Sequence, residues 1–180
     1  MTQATSNHSN TDSEIKIYVA CLAAYNNAQL YGAWIDATQE PDDIMGEVQA
    51  MLKKSPQPDA EEWAIHDYEG FCGIKLSKWE GFEQVHDYAA FIEEHGELGA
   101  EVWKHFDDLD EARTMLDDNY AGCYRSVADF AEELTAETTQ IPKSLTFYID
   151  YDRMGRDMDM SGDILTIETA HDEVHIFWSR

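Results

Sequence analysis

Acidic residues run the whole length of this 180-residue chain: 37 Asp and Glu stand against 12 Lys and Arg, a formal charge of −25. A chain that repels itself this strongly folds only if its apolar residues gather away from the charges. Enough of them are present, since 43% of residues are apolar and 12% aromatic, a globular rather than a disordered composition. The charge is not confined to a tail. Residues 1–77 hold 4 Lys/Arg against 12 Asp/Glu, residues 78–118 hold 3 against 13, and residues 119–180 hold 5 against 12. An acidic tail therefore does not explain the imbalance. Binding to nucleic acid or to an anionic membrane needs Lys and Arg set against phosphates, so neither fits as the main activity. The partner such a chain suits is basic, or a cation.

A density estimate sharpens this. A compact chain of this length is about 40 Å across, which puts one net charge on about every 1.6 Å. Duplex DNA carries about one per 1.7 Å of axis. An elongated chain has a lower density, so arrangement then matters more than the total. Acidic proteins of salt-loving organisms reach comparable figures, and a generic protein of that kind is one alternative reading.

The opening MTQATSNHSNTDSE is polar, without the apolar run of a signal peptide, and residues 1–14 read as a flexible N-terminus. No segment carries the ~18 apolar residues of a membrane helix. Cys21, Cys72 and Cys123 are odd in number and widely spaced, with no C-x-x-C, which suits a reducing cytoplasm. Cys21 lies in an apolar run and reads as core filler.

Ile15–Ala23 and Leu30–Asp36 read as paired strands around an Asn26-Asn27 turn. Pro41 opens a helix with Ile44, Val48, Met51 and Leu52 on one side, and Ser55-Pro56-Gln57-Pro58 ends it. Trp63–Tyr68 reads as a strand. Beyond Lys78 the period turns helical, with Phe82, Val85, Ala89 and Ile92 on one face and a break at Gly96. Leu98, Val102, Trp103 and Phe106 form a second helical face, and Leu109, Ala112 and Leu116 a third. Ser126 with Asp129 is a capping signature before Val127, Phe130, Ala131 and Leu134. SLTFYIDY suits a strand by composition, whereas the spacing of Phe147, Tyr151, Met154 and Met158 favours a helix. ILTIETAHDEVHIFW reads as two strands around a polar turn. The expected fold class is α+β, with a mixed part over 15–77, a helical part over 78–118 and a mixed part over 119–180.

The sharpest local motif is D-x-D-x-S-G-x-I-x-x-x-E, formed by Asp157, Asp159, Ser161, Gly162, Ile164 and Glu168. Its letters match a calcium loop of the EF-hand type, with oxygens at positions 1, 3 and 5, glycine at 6 and a carboxylate at 12. A calcium-binding protein is thus a second alternative, though β-branched residues follow where an EF-hand has a helix. His66-Asp67 suggests a base with its orienting carboxylate, but no nucleophile elbow, P-loop or dinucleotide fingerprint accompanies it. His171 and His175 are four apart, the zinc spacing of a helix, in a segment that reads as a hairpin. No catalytic residue, metal site or cofactor is expected.

The acids themselves remain. Carboxylates three or four apart on a helix lie roughly 5–6 Å from one another, close to what successive phosphate-binding Lys and Arg sites require. Glu80, Glu83, Asp87, Glu94, Glu97, Glu101, Asp107, Asp108, Asp110, Glu111, Asp117 and Asp118 form such a series, continued by Asp129, Glu132 and Glu133. A solvated face normally mixes both signs. Here Lys104 and Arg113 are the only Lys or Arg between Glu80 and Asp118.

The segments IYVACLAAYNNAQLYGAWID, AIHDYEGF and SLTFYIDYDRMGRDMDMSGD resemble the ArdA antirestriction proteins, in the same order and over about Ile15–Trp178. The resemblance implies an elongated, curved chain of three small mixed α/β domains that forms a homodimer. It also implies a DNA mimic, carried by mobile genetic elements. Such a mimic fills the DNA-binding groove of type I restriction-modification enzymes, in the specificity subunit of the methyltransferase core. It implies further that Tyr148, Asp150, Tyr151, Gly155, Arg156, Asp157, Asp159 and Ser161 belong to a dimerisation and antirestriction block rather than to a calcium site.

Overall fold

The computed structural model describes residues 14–179, so the expected flexible segment lies outside the described residues except for Glu14. The apolar run from Lys16 forms strand β1 (Lys16–Cys21), central in an antiparallel sheet of order β2-β1-β3 with β2 (Gly32–Asp36) and β3 (Trp63–Glu69). The register sets Ile17 opposite Ile35 and Val19 opposite Ala33 and Ile65. The expected strand through Ala23 stops early: Leu22–Asn26 turns into a short helix, α1. Leu22 N–H bonds Glu62 O and Cys21 N–H bonds Tyr31 O, which fold the chain back there.

Helix α2 (Pro41–Lys53) begins with Pro41 and buries Ile44, Val48 and Met51, the spacing read in the sequence. It packs against β1 and β2. Ile17, Val19, Ile35, Ile44 and Val48 are fully or almost fully buried. Each such side chain contributes about 1.5–3 kcal/mol of burial. Trp63 stacks on Phe82 at 4.4 Å and 15°, which fixes the start of α3 (Phe82–Phe106). Within α3, Gly96 takes φ 61°, ψ −147°, a conformation that side chains disfavour, so the expected break is a kink at glycine.

By its contacts the chain divides into two compact units, Met1–Glu93 and Glu94–Arg180. Ser77 falls inside the first and Asp118 inside the second. In the second unit α4 (Leu109–Asp118) buries Ala112 and Met115. It leads into β4 (Tyr120–Tyr124), a strand the sequence reading did not foresee. Helix α5 (Val127–Thr138) starts at Ser126, whose hydroxyl accepts from Asp129 N–H at 3.1 Å, as the capping signature predicts.

Helix α6 (Tyr151–Ser161) follows a single 3-10 turn at Thr146–Tyr148. Strands β5 (Ile164–Ala170) and β6 (Glu173–Trp178) form the expected hairpin, and β6 is central in the antiparallel order β4-β6-β5. Helices α5 and α6 cover one face of this sheet. Phe130, Ile164, Val174 and Ile176 form its core, with Val127, Leu134 and Met158 packed alongside. The fold is thus mixed α/β, with six α-helices and two small antiparallel sheets among the described residues.

Candidate functional site

Carboxylates are costly to bury without partners, and the fold buries none of those it describes. Of the 36 Asp and Glu in the described residues, 33 are exposed, while Glu80, Glu101 and Asp129 are partly so. Glu80 lies in the loop before α3, where its carboxylate accepts from Ser77 N–H at 3.0 Å. Glu83 and Asp87 are one helical turn apart on α3. Glu94 and Glu97 flank the kink at Gly96, so their expected helical spacing is interrupted, whereas Glu97 and Glu101 follow it at four residues.

Asp107 has φ 56° and Asp108 is extended, so this pair belongs to the turn between helices. Asp110, Glu111, Asp117 and Asp118 lie on α4, and Asp129, Glu132 and Glu133 on α5. Three of these acids meet Lys or Arg: Glu101 with Lys104 at 2.7 Å, Asp129 with Arg125 at 3.3 Å and Asp110 with Arg113 at 4.0 Å. All are at the surface, where such pairs contribute about 1 kcal/mol at most. Glu133 accepts from the Tyr124 hydroxyl at 3.2 Å. Burial first, and then this carboxylate, push the Tyr124 pKa up.

Two of the candidate acids cap helices. The Asp108 side chain accepts from Glu111 N–H at 2.8 Å and caps α4. The Asp150 side chain accepts from Arg153 N–H at 2.9 Å and caps α6. A further candidate also has a structural reason. Gly155 is buried where α6 crosses α5: a Cβ there would stand 3.0 Å from both the carbonyl oxygen and a methyl of Val127.

The rest of the α6 block faces water to differing degrees. Tyr151 is half-buried, while Arg156, Asp157, Asp159 and Ser161 are exposed. Arg156 Nε donates to Asp152 O, Thr166 donates to Asp159, and the Ser161 hydroxyl bonds Asp163 at 2.6 Å. The predicted apolar stripe holds for Tyr151, Met154 and Met158, which lie on α6, and fails for Phe147. Met154 and Met158 are partly buried, but Phe147 lies outside α6 and is 93% exposed. Tyr148 is 83% exposed, Met160 84% and Leu145 52%. Tyr148 belongs to the block read in the sequence, but the exposure of Leu145, Phe147, Met160 and Trp79 is what sequence reasoning missed, because apolar periodicity cannot tell a core stripe from an uncovered one.

A family profile for the antirestriction protein ArdA matches residues 17–173, most of the chain, and stops at the first residue of the last strand. The chain belongs to the ArdA antirestriction family. A comparison with curated proteins gives no significant match. Membership carries antirestriction activity and interaction with restriction-modification enzymes.

The alternative chemistries do not survive in this ArdA chain. The calcium motif is not a loop: Asp157, Asp159 and Ser161 lie on α6, Gly162 is its left-handed C-cap, and Glu168 lies on β5. Ligands at positions 1, 3 and 5 must wrap a cation. On a helix, residues two apart point about 200° apart around the axis. His66 stands edge-on to Tyr25 at 4.7 Å, and Asp67 accepts from Tyr68 N–H, so the two do not act as a pair.

His171 sits in the β5–β6 turn against Asp172. His175 bonds the Tyr120 hydroxyl at 2.8 Å and Thr169 at 3.1 Å. Burial lowers the His175 pKa against a smaller opposing pull from Glu173, and burial pushes Tyr120 up to about 12. This is a satisfied cluster beside the exposed Cys123 rather than a zinc site. Among the described residues no group of three or more His, Cys, Asp or Glu is placed to hold a metal ion. No helix among them is long and apolar enough to cross a membrane.

Proposed function

We propose that this ArdA chain is a DNA mimic that occupies the DNA-binding groove of a type I restriction-modification enzyme. The groove is that of the specificity subunit in the methyltransferase core. Carboxylates take the places of phosphates against Lys and Arg already arranged for DNA. No bond is made or broken on the mimic, and it needs no cofactor. Restriction is blocked first and modification at higher dose. An elongated array of three small domains, a cytoplasmic location and carriage on a mobile element belong to the same reading.

The observation that supports it most is the exposure of the acids: none of the 36 described is buried. One-to-one pairing with every Lys and Arg would still leave 25 of the 37 without a partner. Charges fixed on folded elements need little further ordering when they meet a basic groove. Their long-range field also speeds association. The test is displacement of a duplex from a purified type I methyltransferase core, titrated from low to high salt. Displacement is expected, with affinity falling as salt rises. A salt-independent response, or none, counts against mimicry.

The reading includes a homodimer through the α6 block, supported by the exposure of Leu145, Phe147, Tyr148 and Met160. Large apolar side chains left in water mark interaction surfaces. Phe147→Asp and Tyr148→Asp are each expected to weaken the dimer at least about tenfold, equivalent to about 1.4 kcal/mol, in sedimentation experiments. Intact dimers in both variants would place the interface elsewhere.

A further inference from the structure

Trp79 is 67% exposed, although an indole of its size is among the most costly side chains to leave in water. Its backbone is nevertheless held on both sides. Trp79 N–H bonds the Ser77 hydroxyl at 3.2 Å, and Glu80 N–H bonds Ser77 O at 3.2 Å. Ser77 N–H bonds the Glu80 carboxylate at 3.0 Å, and Lys78 O accepts from Ile65 N–H of β3 at 3.0 Å. The loop is pinned to the sheet and closed on itself, while the ring it carries points to solvent. The backbone that carries the indole is thus pre-organised, so less conformational entropy is lost when something covers the ring.

Its sequence position says what that something is. Lys75 and Lys78 precede it, but from Trp79 to Trp103 there are seven Asp and Glu and no Lys or Arg. The nearest of those acids, Glu80, Glu83 and Asp87, lie in the same unit, on the loop and the first turns of α3. A ring carried on an acidic stretch of chain favours a cationic side chain twice: the face of its π-system attracts it at contact, and the negative charge of the loop and of α3 attracts it at longer range.

We infer that Trp79 is an anchor that receives an Arg or Lys side chain of the basic DNA-binding partner on its ring. The inference rests on the reading of the protein as a DNA mimic. It adds to that reading a contact that DNA phosphates do not offer, and it makes part of the affinity independent of screening. Aromatic anchors beside charged rims are typical of the few residues that dominate an interface.

The test uses the full-length protein in duplex displacement from the methyltransferase core, at low and at high salt. The variants are W79A, W79F, W79K and the acid variant E83Q/D87N, which leaves the Glu80 bond of the loop intact, each first checked for unchanged thermal unfolding. W79A is expected to need about tenfold more protein for half-displacement at both salts, W79F less than about threefold more, and W79K more than W79A. The loss in the acid variant is expected to shrink as salt rises. Wild-type potency in W79A and W79K beside a weakened acid variant overturns the anchor and leaves the mimic reading standing. Equal losses in W79A and W79F overturn the cation-on-ring contact. Wild-type potency in every variant, the acid variant included, overturns the mimic reading itself.

Discussion

Gly155→Val is expected to destabilise the second unit by about 3 kcal/mol and to lower its melting temperature by about 10 °C or more. A Cβ at this position meets the Val127 carbonyl oxygen and a Val127 methyl at 3.0 Å. The oxygen belongs to the backbone of α5, so the clash cannot be relieved by turning a side chain. Helices α5 and α6 must separate, and the core of Phe130, Ile164, Val174 and Ile176 beneath them loosens. Gly155→Ala adds only the Cβ and gains about 1 kcal/mol of helix propensity, so its net loss is expected to be smaller. Thermal unfolding followed by circular dichroism reads both. A Val variant that melts with the wild type would show that this helix crossing is looser than the geometry states.

Neutralising Glu83, Asp87, Glu97, Glu101, Asp117 and Asp118 together is expected to weaken duplex displacement by about a hundredfold. The estimate assigns about 0.5 kcal/mol to each exposed carboxylate against a basic groove. Any one of them, replaced alone by its amide, should then cost less than about threefold. Asp108 is left out because its loss would remove the cap of α4 along with a charge. Since the six are at or near the surface and the amides are isosteric, the fold should be retained and its stability slightly raised by reduced self-repulsion. One single amide variant that abolishes inhibition while still folded would sink the distributed-charge reading.

The elements that could be read from sequence are those with long, one-sided patterns. Helix α2 announced itself through Pro41 and the spacing of Ile44, Val48 and Met51, and α5 through Ser126 and Asp129. Strand β4 did not, because YAGCY is short, holds a glycine and pairs with β6 fifty residues later, a partner that local pattern cannot reveal. The calcium motif shows the opposite error. Its letters were right, but the helical period of Tyr151, Met154 and Met158 governed the backbone, and a helix spreads those oxygens apart. The acids were legible as a series, since charge excludes them from a core. Their division into caps, paired carboxylates and unpaired ones was not, because it depends on which backbone N–H or cation stands opposite.

Each of the five longer helices opens with carboxylates in its first turn: Asp42 and Asp43, Glu83, Asp110 and Glu111, Asp129, and Asp152. Aligned peptide dipoles give that end about half a positive charge. Part of the negative charge is therefore answered from within the chain, by its own backbone, which helps a protein of charge −25 to stay folded. The carboxylates are consequently unequal. Those in first turns are already partnered and project a weakened field, whereas Asp87, Asp117, Asp118, Glu132 and Glu133 lie further along, where the dipole no longer offsets them. A partner that senses charge at a distance meets this second group most strongly, so a tally of acids overstates the negative potential at the start of each helix and understates it toward the end.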